Sequence, residues 1–202
     1  MTGYNADDPV SCDNKLAIVR ALGCFDKFGL LYEKTIPSGE SHSDPVKTMF
    51  DDCDQNQGWK SDLTLSIDKS DMKQGSGCLS GTGTGVGLFT RTLSVPLDTK
   101  VSHQKGGLHL WLYVSDASAI DLAKEGCIEI TSSGTCDRNE YAWGIGSLDL
   151  KTGWNELKLP FSKAAVSGGR PDLEAVNYMR IYHLKVLRTL TLKLDDIYFY
   201  QD

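Results

Sequence analysis

The sequence has few of the features that mark nucleic-acid-binding or membrane proteins. Its 202 residues include 21 Lys and Arg against 27 Asp and Glu, a formal net charge of −6. This balance repels a phosphate backbone, so nucleic acid is not expected as a partner. No stretch approaches the ~18 consecutive apolar residues of a membrane span, and the first residues lack the basic and apolar regions of a signal peptide. The sequence therefore predicts neither a membrane partner nor a leader segment.

Cysteine is also too sparse to form the scaffold. The six cysteines at positions 12, 24, 53, 78, 127 and 136 fall well below the density of small disulfide-rich domains. Their even number is compatible with export, and six thiols permit about 15 pairings. Disulfides and free, partly buried thiols both remain open. No Cys or His spacing indicates zinc.

Catalytic signatures are absent as well. The sequence has no GxSxG, HExxH or phosphate-binding GxxxxGK[ST] motif. The glycines between Gly81 and Gly87 alternate with other residues, which indicates a flexible or bulged strand edge rather than a nucleotide-binding loop. The four histidines are isolated from one another in the sequence. We therefore do not predict an enzyme.

The first part of the chain has its own pattern. Apolar residues from Leu16 to Phe25 recur at nearly helical spacing after a potential N-cap at Ser11 or Asp13, which predicts a short amphipathic helix over 13–22. A segment rich in Ser, Pro and Gly then reads as a linker. We expect residues 1–45 to be an N-terminal extension with a short helix and linker, and residues 46–202 to be a separate domain.

From Val46 onward the apolar period becomes two. About ten short strands separated by turn signals predict an all-β fold, a β-sandwich of two antiparallel sheets. In the strand 107–114, leucines alternate with His109, Trp111 and Tyr113. The same alternation in other strands predicts a face opposite the aliphatic core, where aromatic rings could stack on sugar rings. Burial in the core is the alternative for each ring. The predicted face comprises Trp111, Tyr113, Glu129, Tyr141, Trp143, Tyr178, Arg180 and Tyr182.

Two acidic pairs suggest a metal site. Asp51 and Asp52 follow the first core strand, while Asp195 and Asp196 interrupt the last one, where the apolar residues change from even to odd positions. A β-bulge would produce this switch. Because Ca2+ prefers several carboxylate and carbonyl oxygens, a structural calcium joining the first and last strands is predicted. Aspartates that cap turns and face water are the alternative.

Five segments together resemble the jelly-roll, galactose-binding-like carbohydrate-binding modules of secreted bacterial polysaccharide-degrading enzymes. The segments are FDDCDQNQGW (50–59), KQGSGCL (73–79), LWLYVSD (110–116), GWNELKLPF (153–161) and LDDIYF (194–199). The resemblance implies one structural Ca2+ held by Asp52, a carbonyl of the loop at Lys73, and Asp195 or Asp196. Cys78 stands where serine is commoner in such modules, and residues 1–45 have no counterpart.

The function that the resemblance implies is noncatalytic polysaccharide binding that targets an attached enzyme to its substrate. It further implies a secreted or bacterial cell-surface monomer, covalently linked to a catalytic domain. Two alternatives stay open. A jelly-roll polysaccharide lyase or glycoside hydrolase would use Glu129, Arg180 and Tyr182, and a structural spacer or adhesin domain would cover its aromatic residues with protein.

Overall fold

The computed structural model describes residues 24–25, 31–32, 45–121 and 126–201, without the side chains of 24–25, 31–32, 85–88 and 183–186. The chain divides into two compact units, Met1–Ser43 and Asp44–Asp202. In the first unit the described residues form an antiparallel pair, β1 (Cys24–Phe25) and β2 (Leu31–Tyr32). The described residues contain no α-helix, which corrects the predicted fold class to an all-β fold without an α-helix. Residues 13–22, where the helix was predicted, lie outside the described residues.

The second unit is a sandwich of antiparallel strands, as predicted. Its strands are β3 (Val46–Asp51), β4 (Trp59–Ser61), β5 (Thr64–Asp68), β6 (Cys78–Leu97), β7 (Gly106–Val114), β8 (Cys127–Thr131), β9 (Glu140–Gly144), β10 (Gly153–Pro160), β11 (Ala165–Ser167) and β12 (Val176–Gln201). Helical structure in the described residues is limited to short 3-10 turns at Ala117–Ala119, Ile145–Ser147 and Phe161–Lys163. None of the described helical segments is long and apolar enough to cross a membrane.

Two long strands, β6 and β12, run through both layers. The C-terminal part of β12 pairs with β3 and β7, and β10 follows at the edge beyond β7. The N-terminal part of β12 pairs with β8 and with the C-terminal part of β6, while β9, β11 and β4 complete that layer. We call these the first and the second sheet. The β6–β12 register shifts twice between Ile181 and Leu190, where both strands pass from one sheet to the other.

The core lies between the sheets and follows the period-two pattern. Leu108, Leu110, Leu112 and Val114 on β7 are fully buried, which confirms the core face predicted for that strand. Fully buried residues of the second sheet include Ile128, Ile130, Met179 and Ile181. The alternating glycines of β6 also serve the core. A Cβ at Gly81 would lie 2.9 Å from the Phe89 ring, so glycine lets that ring pack against the backbone.

The last strand contains the predicted bulge. Its register with β7 shifts between Asp195 and Tyr198, and Asp196 has a left-handed backbone with φ of 48°. Aspartate tolerates this conformation better than most residues. The shift moves Ile197 and Phe199 onto the core side, where both are fully buried. The bulge therefore restores apolar packing after the double aspartate.

Candidate functional site

The outward side of the second sheet brings together half of the predicted contact residues. Cross-strand register places Arg180 between Glu129 of β8 and Thr90 of β6. Tyr178 and Tyr182 flank Arg180 on β12 and point to the same side, because side chains two apart on a strand share a face. All three β12 side chains are partly exposed. We call this surface the tyrosine face; its members are Thr90, Glu129, Tyr178, Arg180 and Tyr182.

Arg180 is the best-anchored group on the tyrosine face. Its Nε donates to the Glu129 carboxylate, and its Nη2 lies 3.4 Å from Asp137 Oδ1. The guanidinium carbon lies 4.1 Å from the centroid of the Tyr182 ring. Its side chain remains 14% exposed. The guanidinium is therefore fixed from below and from the side while part of it still meets solvent.

A buried carboxylate network supports Arg180. Glu129 and Glu140 are each 1% exposed, and Glu140 Oε2 accepts the amide of Asp137 at 3.0 Å. Burial raises the pKa of Glu129 to about 7; the hydrogen bond from Arg180 lowers this pKa, and neighbouring Glu140 raises it. The carboxylate oxygens of Glu129, Asp137 and Glu140 lie within 4.8 Å of one another, so this cluster could hold a metal ion. Arg180 already supplies a positive charge there.

The two tyrosines present neutral phenols. Burial raises the pKa of Tyr178 and, more strongly, that of Tyr182. Both hydroxyls therefore stay protonated at neutral pH and can donate and accept hydrogen bonds. With Arg180 between them, the tyrosine face offers apolar ring surface, hydroxyl groups and a fixed cation.

Tyr141 and Trp143 do not belong to this surface. They are 2% and 5% exposed and belong to the core cluster. The Tyr141 ring stacks on Phe161 with 5.0 Å between centroids. Their predicted position opposite the core was wrong because their cross-strand partners in β8 are the buried Ile130 and Ile128. The sequence did contain a sign of the correct orientation of β9. Its other residues, Glu140 and Ala142, occupy the outward positions.

Trp111 and Tyr113 lie on the other outer surface of the sandwich, on the first sheet. Tyr113 meets Trp154 edge-on, with 5.4 Å between ring centroids. Lys193 Nζ lies 4.6 Å from the Tyr113 centroid, and Lys73 Nζ lies 4.7 Å from the Trp111 centroid. We call this surface the tryptophan face; its members are Lys73, Trp111, Tyr113, Trp154 and Lys193. Its rings already contact cations of the chain itself.

Lys193 joins the tryptophan face to a neighbouring loop. It is only 7% exposed, and its Nζ lies 2.7 Å from Asp68 Oδ2 and 3.0 Å from Asp71 Oδ2. The hydrogen bond from Lys193 lowers the pKa of Asp68. Trp154 Nε1 also donates to Asp71 Oδ1 at 2.9 Å. This network holds the segment after β5 against the first sheet.

The residues predicted to bind calcium have different surroundings from one another. Asp195 is fully buried; its Oδ2 accepts the amides of Lys73 at 2.6 Å and Gln74 at 3.0 Å, while Oδ1 has no hydrogen-bond partner in the described residues. Asp196 instead lies 3.1 Å from Lys47 Nζ. Asp52 is exposed and accepts the amide of Asp54. The unpartnered oxygen of Asp195 fits a cation, whereas Asp196 is already paired.

Sequence reasoning missed several charged residues near these sites. Asp137 and Glu140 complete the network under Arg180, but they flank a polar turn whose path the alternation pattern does not reveal. Arg91 was also missed: it forms an ion pair with Asp51, a residue of the predicted acidic pair that is 8% exposed, with 2.6 Å between Oδ2 and Nε. Arg91 occupies an inward position of β6 and is only partly exposed, and such a charge has no sequence signature.

Comparisons with known proteins place the fold. No protein-family model matches the sequence, and no curated protein matches it. Among solved structures, a family 11 carbohydrate-binding module of a cellulosomal cellulase of Clostridium thermocellum is 11% identical, with a TM-score of 0.55 and coverage of 77% of this chain and 95% of that one. A family 30 module of another cellulosomal cellulase of Clostridium thermocellum is 14% identical, with a TM-score of 0.56 and coverage of 78% and 98%.

A third match is a family 11 module of Clostridium thermocellum solved in complex with a β-1,3-1,4-mixed-linked tetrasaccharide. It is 12% identical, with a TM-score of 0.53 and coverage of 76% of this chain and 94% of that one. At these identities the likeness concerns the fold. The resemblance drawn from the sequence is confirmed at that level: the chain has the β-sandwich jelly-roll fold of carbohydrate-binding modules of families 11 and 30.

Proposed function

We propose that this protein binds polysaccharide without cleaving it, through the tyrosine face. The observation that carries the proposal is the row formed by Tyr178, Arg180 and Tyr182 on one partly exposed surface of a jelly-roll sandwich. Tyrosine rings can stack on the C–H faces of pyranose rings, while their hydroxyls bond sugar hydroxyls. The guanidinium adds donors in a fixed geometry.

The support beneath Arg180 favours binding. Because Glu129 and Asp137 hold the guanidinium in place, little side-chain entropy is lost when a ligand meets it. A few ring contacts of about 1 kcal/mol each give weak, micromolar to millimolar affinity. Such affinity suits a module that raises the effective concentration of an attached enzyme at its substrate.

The same network argues against catalysis by the predicted residues. A glycosidase needs two carboxyl groups that flank the scissile bond. Glu129 and Glu140 are both 1% exposed, so their carboxyl groups lie beneath the surface that a glycan would contact. We propose an extracellular, monomeric, noncatalytic domain that acts beside a covalently linked enzyme.

A structural Ca2+ at Asp195 is the cofactor that we propose. The buried, unpartnered Oδ1 supports it, because an orphaned carboxylate oxygen in the interior is costly unless an ion or proton satisfies it. Burial also raises the pKa of Asp195, so a proton is the competing explanation. Asp52 and a carbonyl of the loop at Lys73 would complete the shell.

Affinity electrophoresis against a polysaccharide panel tests the proposed function. The structural neighbour with a mixed-linked tetrasaccharide makes β-1,3-1,4-glucan the first polymer to include. We expect the wild-type chain to be retarded, and a Tyr178→Ala, Tyr182→Ala double variant to migrate freely. Arg188→Ala is the control, because this exposed arginine pairs with Asp116 away from the tyrosine face. Equal retardation of wild type and double variant would overturn the proposed site.

A further inference from the structure

A cavity of about 370 Å3 opens beside the tyrosine face. One wall comes from the last residue of β3 and the segment after it, and the other comes from β6. Its lining residues are Asp51, Asp52, Gln55, Gln57, Gly58, Arg91, Thr92, Leu93 and Ser94. The volume lies within the range of small-molecule sites.

The cavity lies where the second sheet loses pairing at one edge. Strand β4 pairs with β6 from Phe89 to Arg91 and no further. The register of β6 with β12 then shifts between Thr92 and Leu97, so residues 93–96 have no partner in β12. A stretch of β6 therefore separates from the sheet, and the 51–58 segment faces it across the cavity.

Arg91 is fixed in the cavity wall. Its Nε lies 2.6 Å from Asp51 Oδ2, and its Nη1 donates to the Gln57 carbonyl at 2.5 Å. Gly58 makes this approach possible: it has a φ of +83°, and a Cβ there would lie 3.0 Å from Arg91 Nη1. No hydrogen bond to a described residue engages Nη2. The arginine thus presents unused donors from a rigid position.

Four other polar side chains of the wall are also unused. The side-chain amides of Gln55 and Gln57 and the hydroxyls of Thr92 and Ser94 are exposed and form no hydrogen bond with another described residue. The cavity wall therefore offers both donors and acceptors. The charges of Asp51, Asp52 and Arg91 sum to about −1, which disfavours an anionic ligand. This combination suits a neutral polyhydroxylated molecule, whose hydroxyls both donate and accept.

The cavity is continuous with the tyrosine face. Thr92 lines the cavity and is the cross-strand partner of Tyr178. Directly opposed side chains of an antiparallel pair lie ~5 Å apart on the same face. A glycan lying along Tyr182, Arg180 and Tyr178 would therefore reach the cavity by crossing one strand.

We propose that this cavity is an additional subsite, which binds one neutral sugar residue of the glycan held by the tyrosine face. Arg91, Gln55 and Gln57 supply its hydrogen bonds. The inference rests on the proposed function, since the tyrosine face holds the rest of the same chain. It implies that affinity rises at the chain length that first reaches the cavity.

Isothermal titration with mixed-linkage β-1,3-1,4-glucan oligosaccharides of increasing length tests this subsite. Wild type should gain about tenfold in affinity at one length step, the scale of two neutral hydrogen bonds. A Gln55→Ala, Gln57→Ala double variant should lose that gain, bind the shorter oligosaccharides as wild type does, and keep its melting temperature. Gln104→Ala is the matched control, because Gln104 is exposed in the turn before β7.

The outcomes separate the subsite from the proposed function. If the double variant equals wild type at every length, or if wild type shows no length step, the subsite is wrong. A loss that is equal for all lengths also overturns it. If Tyr182→Ala binds every oligosaccharide as tightly as wild type does, the proposed function itself fails at this face.

Discussion

The two outer surfaces of the sandwich carry similar residue types in different arrangements. On the tryptophan face, Lys73 and Lys193 already lie over the rings of Trp111 and Tyr113. On the tyrosine face, Arg180 likewise lies over the Tyr182 ring, but the Tyr178 ring has no cation over it in the described residues. A row of aromatic residues in a strand therefore does not identify a binding surface. The decisive feature is whether the chain itself already occupies the rings.

The largest expected effect is the loss of stability when calcium is removed from Asp195, on the side of the first sheet. Chelation tests this effect. If Ca2+ binds at Asp195, a free Ca2+ concentration of 100 times its Kd stabilises the fold by about 2.7 kcal/mol. We expect EDTA to lower the melting temperature by several degrees and Asp195→Asn to abolish that shift. Elemental analysis should find calcium in the wild-type protein. An identical melting curve with and without EDTA, together with no bound metal, would rule the ion out.

Removing Lys193 should weaken the fold rather than binding. Lys193→Met leaves Asp68 and Asp71 without their buried cation, at a cost of about 1–3 kcal/mol because both carboxylates still reach some water. Urea denaturation measures this loss. Lys100→Met is the control, since Lys100 forms an exposed pair with Asp98 and should change stability by less than ~1 kcal/mol. Weaker glycan binding by Lys193→Met with unchanged stability would reverse the roles of the two faces.

Single aromatic replacements compare the faces directly. Tyr178→Ala should weaken glycan binding about tenfold, the scale of one stacking contact with its hydrogen bond. Trp111→Ala should change it by less than about twofold, because Lys73 already lies over that ring. Titration of both variants with one glycan gives the ratio. The opposite ranking would move the binding surface to the tryptophan face, where Trp111 and Tyr113 were also predicted to bind.

The last prediction concerns pH. Since the pKa of Glu129 is raised from 4.5 to about 7 in the folded state, the folded chain keeps a proton that the unfolded chain loses between those values. The free energy of unfolding therefore falls as pH rises from 4.5 to about 7 and Glu129 ionises. We expect wild type to lose stability relative to Glu129→Gln from pH 5 to 8. A constant difference between them across that range would contradict the raised pKa.

The sequence predicted the parts of the fold that depend on local alternation. Leu108 to Val114 form a core face, and Asp195 and Asp196 lie at a bulge, because both features are properties of one strand. Alternation could not decide which side of β9 faces the core. That choice depends on the neighbours that β8 supplies, and Tyr141 and Trp143 are buried against them.

The candidate site shows the same limit. Glu129, Arg180 and Tyr182 were grouped by parity and do lie together. Asp137, Glu140 and Arg91 were missed because their positions depend on loops and on pairing between distant strands. The cavity forms at the edge of the second sheet, where the β4–β6 pairing and the β6–β12 pairing end at different residues of β6. No single segment of the sequence carries that information.

The sharing of β12 between both sheets determines how the domain must fold. Lys47 and Asp196, which form an ion pair, are 149 residues apart in sequence. Neither sheet is complete until the last strand arrives, so no half of the sandwich can form alone and serve as a template. Such non-local pairing is typical of domains that fold in milliseconds to seconds. We therefore expect slow folding and a single cooperative transition, with the glycan surface appearing together with the core.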